Sequence, residues 1–324
     1  MGKFSLKGKF FNVVCALILA GFWSQSWAWQ SQTPDEALLS VNNSFGVYLI
    51  PVQNVNYVEP NGSVNNCANG KSCANYSDEE SGGLFGDGFS VDYMSPKMKL
   101  YGHLSYQFAS GHLNYNGATQ GGTPVQDTSG ARIGDWDLKF GKGVTLSEDQ
   151  RVLLTPYIEF GNHFWQRDLD LGGGANQFGE DYQNDYLDGG AMIQYVPPIH
   201  ILHHNDIVLE GNAGIGETIG PNITVPIANP PMPSNAPLGQ EPFINLGLEA
   251  DWHAMTALWV FFGYQYTYFS YFPSSIYSNA GGAVEEPASF TNYNIYKLGV
   301  KIPFSGFPVI AKGISQMGDA SSKD

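Results

Sequence analysis

The sequence predicts an all-β chain: a transmembrane, antiparallel up-and-down β-barrel of about ten strands, with eight as the alternative, behind a cleaved signal peptide. Three observations predict it: alternation of apolar and polar residues, an export signal at the front, and a regular exchange of long and short connections. The alternation is clearest from Phe243 to His253. Ile244, Leu246, Leu248, Ala250 and Trp252 share one parity, and Asn245, Gly247, Glu249, Asp251 and His253 the other. Side chains of a strand alternate between its faces, so one face is apolar and the other polar. A soluble sheet over a core could carry the same pattern. The export signal and the connections point instead to lipid outside and a polar lumen within.

Residues 1–28 read as a secretory signal. Lys3, Lys7 and Lys9 precede the apolar stretch Val13 to Phe22, and Ser26-Trp27-Ala28 puts small residues at the cleavage positions. The apolar run is about half of what a spanning helix needs. Cys15 does not end it, as a lipidated cysteine should. Residues 29–43 then form a periplasmic N-terminal segment, 44–304 the barrel and 305–324 a periplasmic tail. The mean hydropathy of -0.19 fits strands that are only half apolar. Fifteen basic residues against thirty acidic ones give a net charge of -15, and loss of three lysines with the signal leaves -18. Such acidity argues against nucleic acid as a partner and suits a surface protein or a cation-preferring lumen. Two cysteines remain after cleavage, Cys67 and Cys73, and an exported context favours a disulfide between them. Two thiolates with no histidine nearby do not make a metal site.

The strands follow in order. Ser44 to Tyr57 carries Phe45, Val47 and Leu49 on one face and loses its pattern at Pro51. Gly86 to Met94 sets Phe89, Val91 and Tyr93 against Ser90 and Asp92, and Ser95-Pro96-Lys97 makes a turn. Met98 to Ser110 sets Leu100, Leu104, Tyr106 and Phe108 against Lys99, His103, Ser105 and Gln107. Ile133 to Leu146 opposes Trp136, Leu138 and Phe140 to Asp135, Asp137 and Lys139. Arg151 to Arg167 opposes Leu154, Ile158 and Phe160 to Thr155, Glu159 and His163. Tyr186 to Val196 places Asp188 and Gln194 opposite Leu187 and Ile193. Asp206 to Glu217 places Glu210 and Asn212 opposite Leu209 and Ile215. After Phe243 to His253 come Leu258 to Tyr268, with Phe262, Tyr264, Tyr266 and Tyr268 aligned, and Tyr296 to Phe304.

Long connections are expected at Val58 to Gly83, Asn116 to Arg132, Asp168 to Asn184, Ile219 to Glu241 and Phe272 to Phe290. Short ones fall at Ser95 to Lys97, Ser147 to Gln150, Pro197 to Asn205 and Ala254 to Ala257. Outer-membrane barrels have short periplasmic turns and longer external loops, which assigns the two ends. Trp136, Trp165, Trp252 and the tyrosines from Tyr264 to Tyr271 suit an aromatic girdle at the headgroups.

The alternating strands, the Leu154-Thr155-Pro156-Tyr157 to Trp165 segment and the closing strand Tyr296 to Phe304 resemble the small outer-membrane β-barrel proteins grouped as OmpA-like, OmpW-like and porin-family domains. The resemblance covers nearly the whole mature chain but is a pattern of residue types. It implies residence in a Gram-negative outer membrane, lipid and lipopolysaccharide as neighbours, and the barrel-assembly machinery as a partner during biogenesis. Here the terminal aromatic signature is internal, because the chain continues past Phe304.

Within such a barrel the polar parity would line the lumen: Asp92, Lys99, His103, Asp135, Asp137, Lys139, Glu159, His163, Asp188, Glu210, Glu249, Asp251 and His253. Paired, these fill it; hydrated, they line a path. The expected role is therefore non-enzymatic, a structural or small-solute porin-like barrel with exposed loops and no cofactor. Two alternatives stand. One is an outer-membrane hydrolase, an omptin-like protease or lipid-processing barrel, using His163, Asp168, Asp170, Asp181 and Asp185 at the external rim. The other is an adhesin-like surface barrel. His200, His203 and His204 flank a turn without a fixed further metal ligand. Gly172-Gly173-Gly174 lacks the strand-to-helix setting of a phosphate loop. The proline-rich stretch Pro221 to Pro242 is stiff enough to cover a mouth or meet a partner.

Overall fold

The computed structural model describes residues 32–60, 77–118, 124–170, 177–201, 204–205, 207–225, 235–255, 257–279 and 282–306. The signal peptide, Cys67 and Cys73, Gly172 to Gly174, His203 and the tail after residue 306 lie outside them.

Alternation on this scale gives each chain segment one face for lipid and one for a lumen, and closure removes every sheet edge. Ten long strands do this: β1 (Ser44–Glu59), β2 (Asp78–Met94), β3 (Leu100–Ala118), β4 (Pro124–Lys142), β5 (Val152–Asp170), β6 (Gln177–Tyr195), β7 (Ile207–Thr224), β8 (Pro242–Met255), β9 (Leu258–Tyr271) and β10 (Ser289–Pro303). Each pairs antiparallel with its sequence neighbours. β10 returns to β1, from Ser44 opposite Pro303 to Val58 opposite Phe290, and the barrel closes at ten strands rather than eight.

The parity is the expected one in the spanning region. Leu104, Tyr106, Phe140, Ile158, Leu187, Ile193, Leu209, Ile215, Leu246, Leu248, Phe262 and Leu298 all point outward and are 38% or more exposed. Their polar neighbours Asp92, Ser105, Glu159, Asn245 and Asp251 are buried inside. Outward aromatics bound this belt, with Tyr93, Tyr195 and Trp252 toward the short turns and Tyr106, Trp136 and Tyr296 toward the other end.

Four expectations need correction. The strands run 14 to 19 residues, where about ten suffice to cross the hydrocarbon. The surplus lies at the end of the long connections, so most of Asn116 to Arg132 and Asp168 to Asn184 is strand, not loop. Second, the pattern does not stop at Pro51. A bulge between Leu49 and Val52 shifts it by one residue, and Gln53, Val55 and Tyr57 continue inward. Third, Trp165 is 1% exposed and Tyr271 4%, so both fill the lumen and neither belongs to a girdle. Fourth, Lys99 lies in the turn before β3 with φ 52, at the rim of the wall and not on a spanning strand.

The segment before β1 contains a helix, α1 (Pro34–Val41). Thr33 and Glu36 form a reciprocal capping box and Pro34 occupies the first turn, where its missing N–H costs nothing. Ala37, Leu38 and Val41 bury themselves inside the short-turn end of the barrel against Met94, Tyr101, Leu153, Met192, Val208 and Trp259. Trp259 Nε1 donates to Ser40 Oγ at 3.1 Å and Asn42 Nδ2 to Gln194 Oε1 at 2.6 Å. Lys99 pairs with Asp35 from the turn below. α1 thus packs into one mouth of the barrel.

Candidate functional site

The lumen is stratified. Above α1 lies a charged layer, built by inward residues of nine strands, β2 to β10. Asp92 Oδ1 accepts from Tyr101 Oη at 2.8 Å and contacts His103 Nδ1 at 2.7 Å, while His103 Nε2 is 3.4 Å from Asp137 Oδ1. Ser105 also donates to Asp137. Lys139 Nζ lies 3.3 Å from Glu159 and 3.9 Å from Asp137. Across the barrel Lys301 pairs with Glu249 and, at 2.9 Å, with Asp251, and Gln194 donates to Glu210 at 2.9 Å. Lys297 donates to Gln265 at 2.8 Å. Asp188 joins the layer at 3% exposure without a hydrogen-bond partner among the described residues. These groups surround a cavity of about 110 Å³, lined in part by Asp92, His103, Asp137, Lys139, Glu249 and Lys301. It has room for a few waters. Buried charges of both signs with water and mutual hydrogen bonds cost far less than any one of them alone.

Higher up, Asp135 and His163 separate from that set. His163 Nδ1 contacts Asp135 Oδ1 at 2.6 Å, Tyr293 Oη lies 3.2 Å from His163 Nε2, and Phe269 stacks on the ring at 4.4 Å between centroids. Tyr186, Phe243, Phe269, Tyr293, Ile295, Trp165 and Tyr57 continue this as an aromatic core across the lumen. Inward glycines make room for the rings: a Cβ on Gly161 would sit 2.3 Å from Tyr186, and one on Gly88 2.5 Å from Tyr48. His253 is buried at the other end, stacked 4.6 Å from Trp259.

At the top a guanidinium is caged. Arg167 lies 2.6 Å from Glu80 and from Glu180 and 3.8 Å from Glu59, with its Cζ 4.3 Å from the centre of the Tyr57 ring. Tyr182 Oη donates to Glu286 at 2.5 Å, and Ser129 Oγ to Glu80 at 2.9 Å. Outward neighbours at this height are Asn56, Glu79, Ser81, Asn114, Thr128, Gln166 and Asp181, so the cage stands clear of lipid. Burial raises the Glu59 carboxyl to about 8 against the pull of Arg167, and raises Glu286 and Glu180 as well. Glu286 comes from the connection between β9 and β10. Ala236 pairs with Ile223, and Gly239 bridges to Phe272, so the described part of the connection after β7 is held against the ends of β7 and β9.

The rim constellation is not assembled. His163 faces the lumen at 1% exposure, whereas Asp168, Asp181 and Asp185 are on the outward parity of the same two strands. The side chain of Asp170 and those of His200 and His204 lie outside the described residues. No group of three or more His, Cys, Asp or Glu side chains among the described residues is placed to hold a metal ion.

Sequence reasoning passed over α1, although Thr33-Pro34-Asp35-Glu36 carries its start signal. It also passed over Arg167, which shares the parity of His163, and over Lys297 and Lys301 as partners for the acids.

No family model matches this sequence and no curated protein matches it. Among solved structures, the outer membrane protease OmpT from Escherichia coli is similar with a TM-score of 0.49 and 13% identity over 86% of this chain and all of that one. The P. putida toluene transporter TodX gives 0.29 and 9%, covering 84% and 92% of the two chains. The translocator domain of autotransporter NalP from Neisseria meningitidis gives 0.29 and 9%, covering 92% and 98%. At these identities neither activity nor cargo transfers.

Proposed function

We propose that this chain is a closed, non-conducting outer-membrane barrel whose lumen is structural and whose working surface is the part standing outside the lipid. The observation that carries the reading is the continuous filling of the lumen: α1, the charged layer with its small cavity, the aromatic core and the Arg167 cage succeed one another from mouth to mouth. A cation-preferring path needs connected water along the axis, and the packed rings of Tyr186, Phe243, Phe269 and Tyr293 narrow the lumen at the level of Asp135 and Gln107. Of the two roles the sequence left open, structural and small-solute, the geometry favours the first. A belt of outward apolar side chains between two aromatic rims supports the membrane placement. The role is read as non-enzymatic, since Asp168, Asp181 and Asp185 face the opposite side of the wall from His163.

Planar-bilayer recording of the purified chain tests this. Silence at all voltages is expected, and discrete conductance steps that scale with salt would overturn it.

A further inference from the structure

The outward wall just beyond the lipid belt is not uniform around the barrel. On β5 to β7 it is acidic, with Asp168, Asp181, Asp185 and Glu217. On β9, β10 and β1 it is uncharged and built from tyrosine and asparagine. Asn54 stands directly opposite Asn294, and Asn56 opposite Asn292. Four amides therefore mark a rectangle of about 5 Å across the strands and about 7 Å along them. On the other flank Tyr264 and Tyr266 stand beside it, paired with Tyr296 and Asn294. Tyr264 Oη donates to Asn294 Oδ1 at 2.8 Å, and Tyr266 Oη to Asn292 Oδ1 at 2.6 Å.

Those bonds occupy the amide oxygens of Asn292 and Asn294, fix those two rotamers and leave their NH₂ groups as donors. Asn54 and Asn56 are exposed. The face thus offers preset amide groups beside flat apolar rings, over an area matching one hexose. A ring with hydroxyls at its edge and C–H bonds on its face is the complementary chemistry. A phosphate is not, because among the described residues this sector presents no outward lysine or arginine to neutralise it. Outward Phe262 and Leu298 sit on the same strands immediately below, at 55% and 50% exposure. A sugar meeting the amides would therefore hang from a lipid whose chains lie against those residues.

We propose that this tyrosine–asparagine face binds the core sugars of the glycolipid in the surrounding outer leaflet, through neutral hydroxyl contacts. The proposal rests on the outer-membrane placement above, but not on the closed lumen. A ring serving only as a headgroup anchor would not need its hydroxyl committed to a neighbouring amide.

The test uses the full chain in detergent and two probes of equal phosphate content, lipid A alone and lipid A carrying inner-core sugars, compared by native mass spectrometry. The wild type is expected to prefer the sugar-bearing lipid by roughly tenfold, the sum of a few hydrogen bonds. N54A/N294A should reduce that preference to near unity while leaving lipid A binding and heat-modifiable migration unchanged. D181N/D185N, on the acidic sector, should keep it. Equal binding of both probes by the wild type would overturn the proposal, as would a preference that survives N54A/N294A. A conducting barrel that still preferred the sugar-bearing lipid would sink the closed-lumen reading and leave this one standing.

Discussion

The lower and upper halves of this barrel are built from the same ten strands with opposite chemistry. In the lower half Leu246, Leu248, Phe262 and Leu298 face outward and Asp92, Lys139, Glu159 and Lys301 face inward. In the upper half Asn54, Asn56, Asn114 and Gln166 face outward, while Val55, Tyr57, Leu113 and Trp165 face inward. What changes between them is the solvent. Lipid around the lower half removes the gain from an apolar interior, so a polar filling costs little there. Water around the upper half restores the ordinary hydrophobic drive, and the interior becomes an aromatic core.

The largest break in that contrast should come from the cage. Arg167→Met leaves Glu59, Glu80 and Glu180 buried without their cation and is expected to cost about 3–5 kcal/mol. Urea unfolding in detergent, followed by proteolysis of the external connections, would register it. Charge placed on the outer wall should then separate the halves. Leu248→Arg, in the belt, is expected to cost roughly 2–4 kcal/mol, and Asn56→Arg, above it, about 0–1 kcal/mol, by the same folding assay in bilayers.

The cage also sets a pH trend. Glu59 is raised from its ordinary 4.5 to about 8, so the folded state binds more protons than the unfolded one between those values. Stability of the upper half is therefore greatest at the acid end and falls as pH rises to about 8. Hydrogen exchange across Ser289 to Tyr293 should quicken over that window, and Glu286→Gln should flatten the slope. The smallest effect concerns the lower seal: Thr33→Ala removes the cap of α1 and is expected to cost about 1 kcal/mol, read as faster exchange in Pro34–Val41.

The lower half was legible because lipid demands a long apolar parity, and Ile244 to Trp252 displays it without interruption. The upper half was not. There Gly82, Gly83, Asn114 and Thr128 mimic loop composition, and the bulge at Pro51 breaks the phase just where the outside turns polar. The parity of His163 also extended to Trp165 and Arg167, but an apolar residue read as lipid-facing concealed that the core lay inside. The cage could not be read at all, since Arg167 meets Glu80 across 87 residues of sequence. Only α1 carried a local signal that an eight-residue helix made easy to overlook.

The closed lumen is tested most directly by thiol accessibility from both sides of a sealed bilayer. Single cysteines at Ser105 and Asn212 place a thiol at the cavity wall in a barrel with its native cysteines changed to serine. Both should resist a bulky, membrane-impermeant reagent added to either face, while a cysteine at exposed Asn56 reacts at once. Rapid labelling of either lumenal thiol from one face would contradict the seal there, and labelling from both would show an open path.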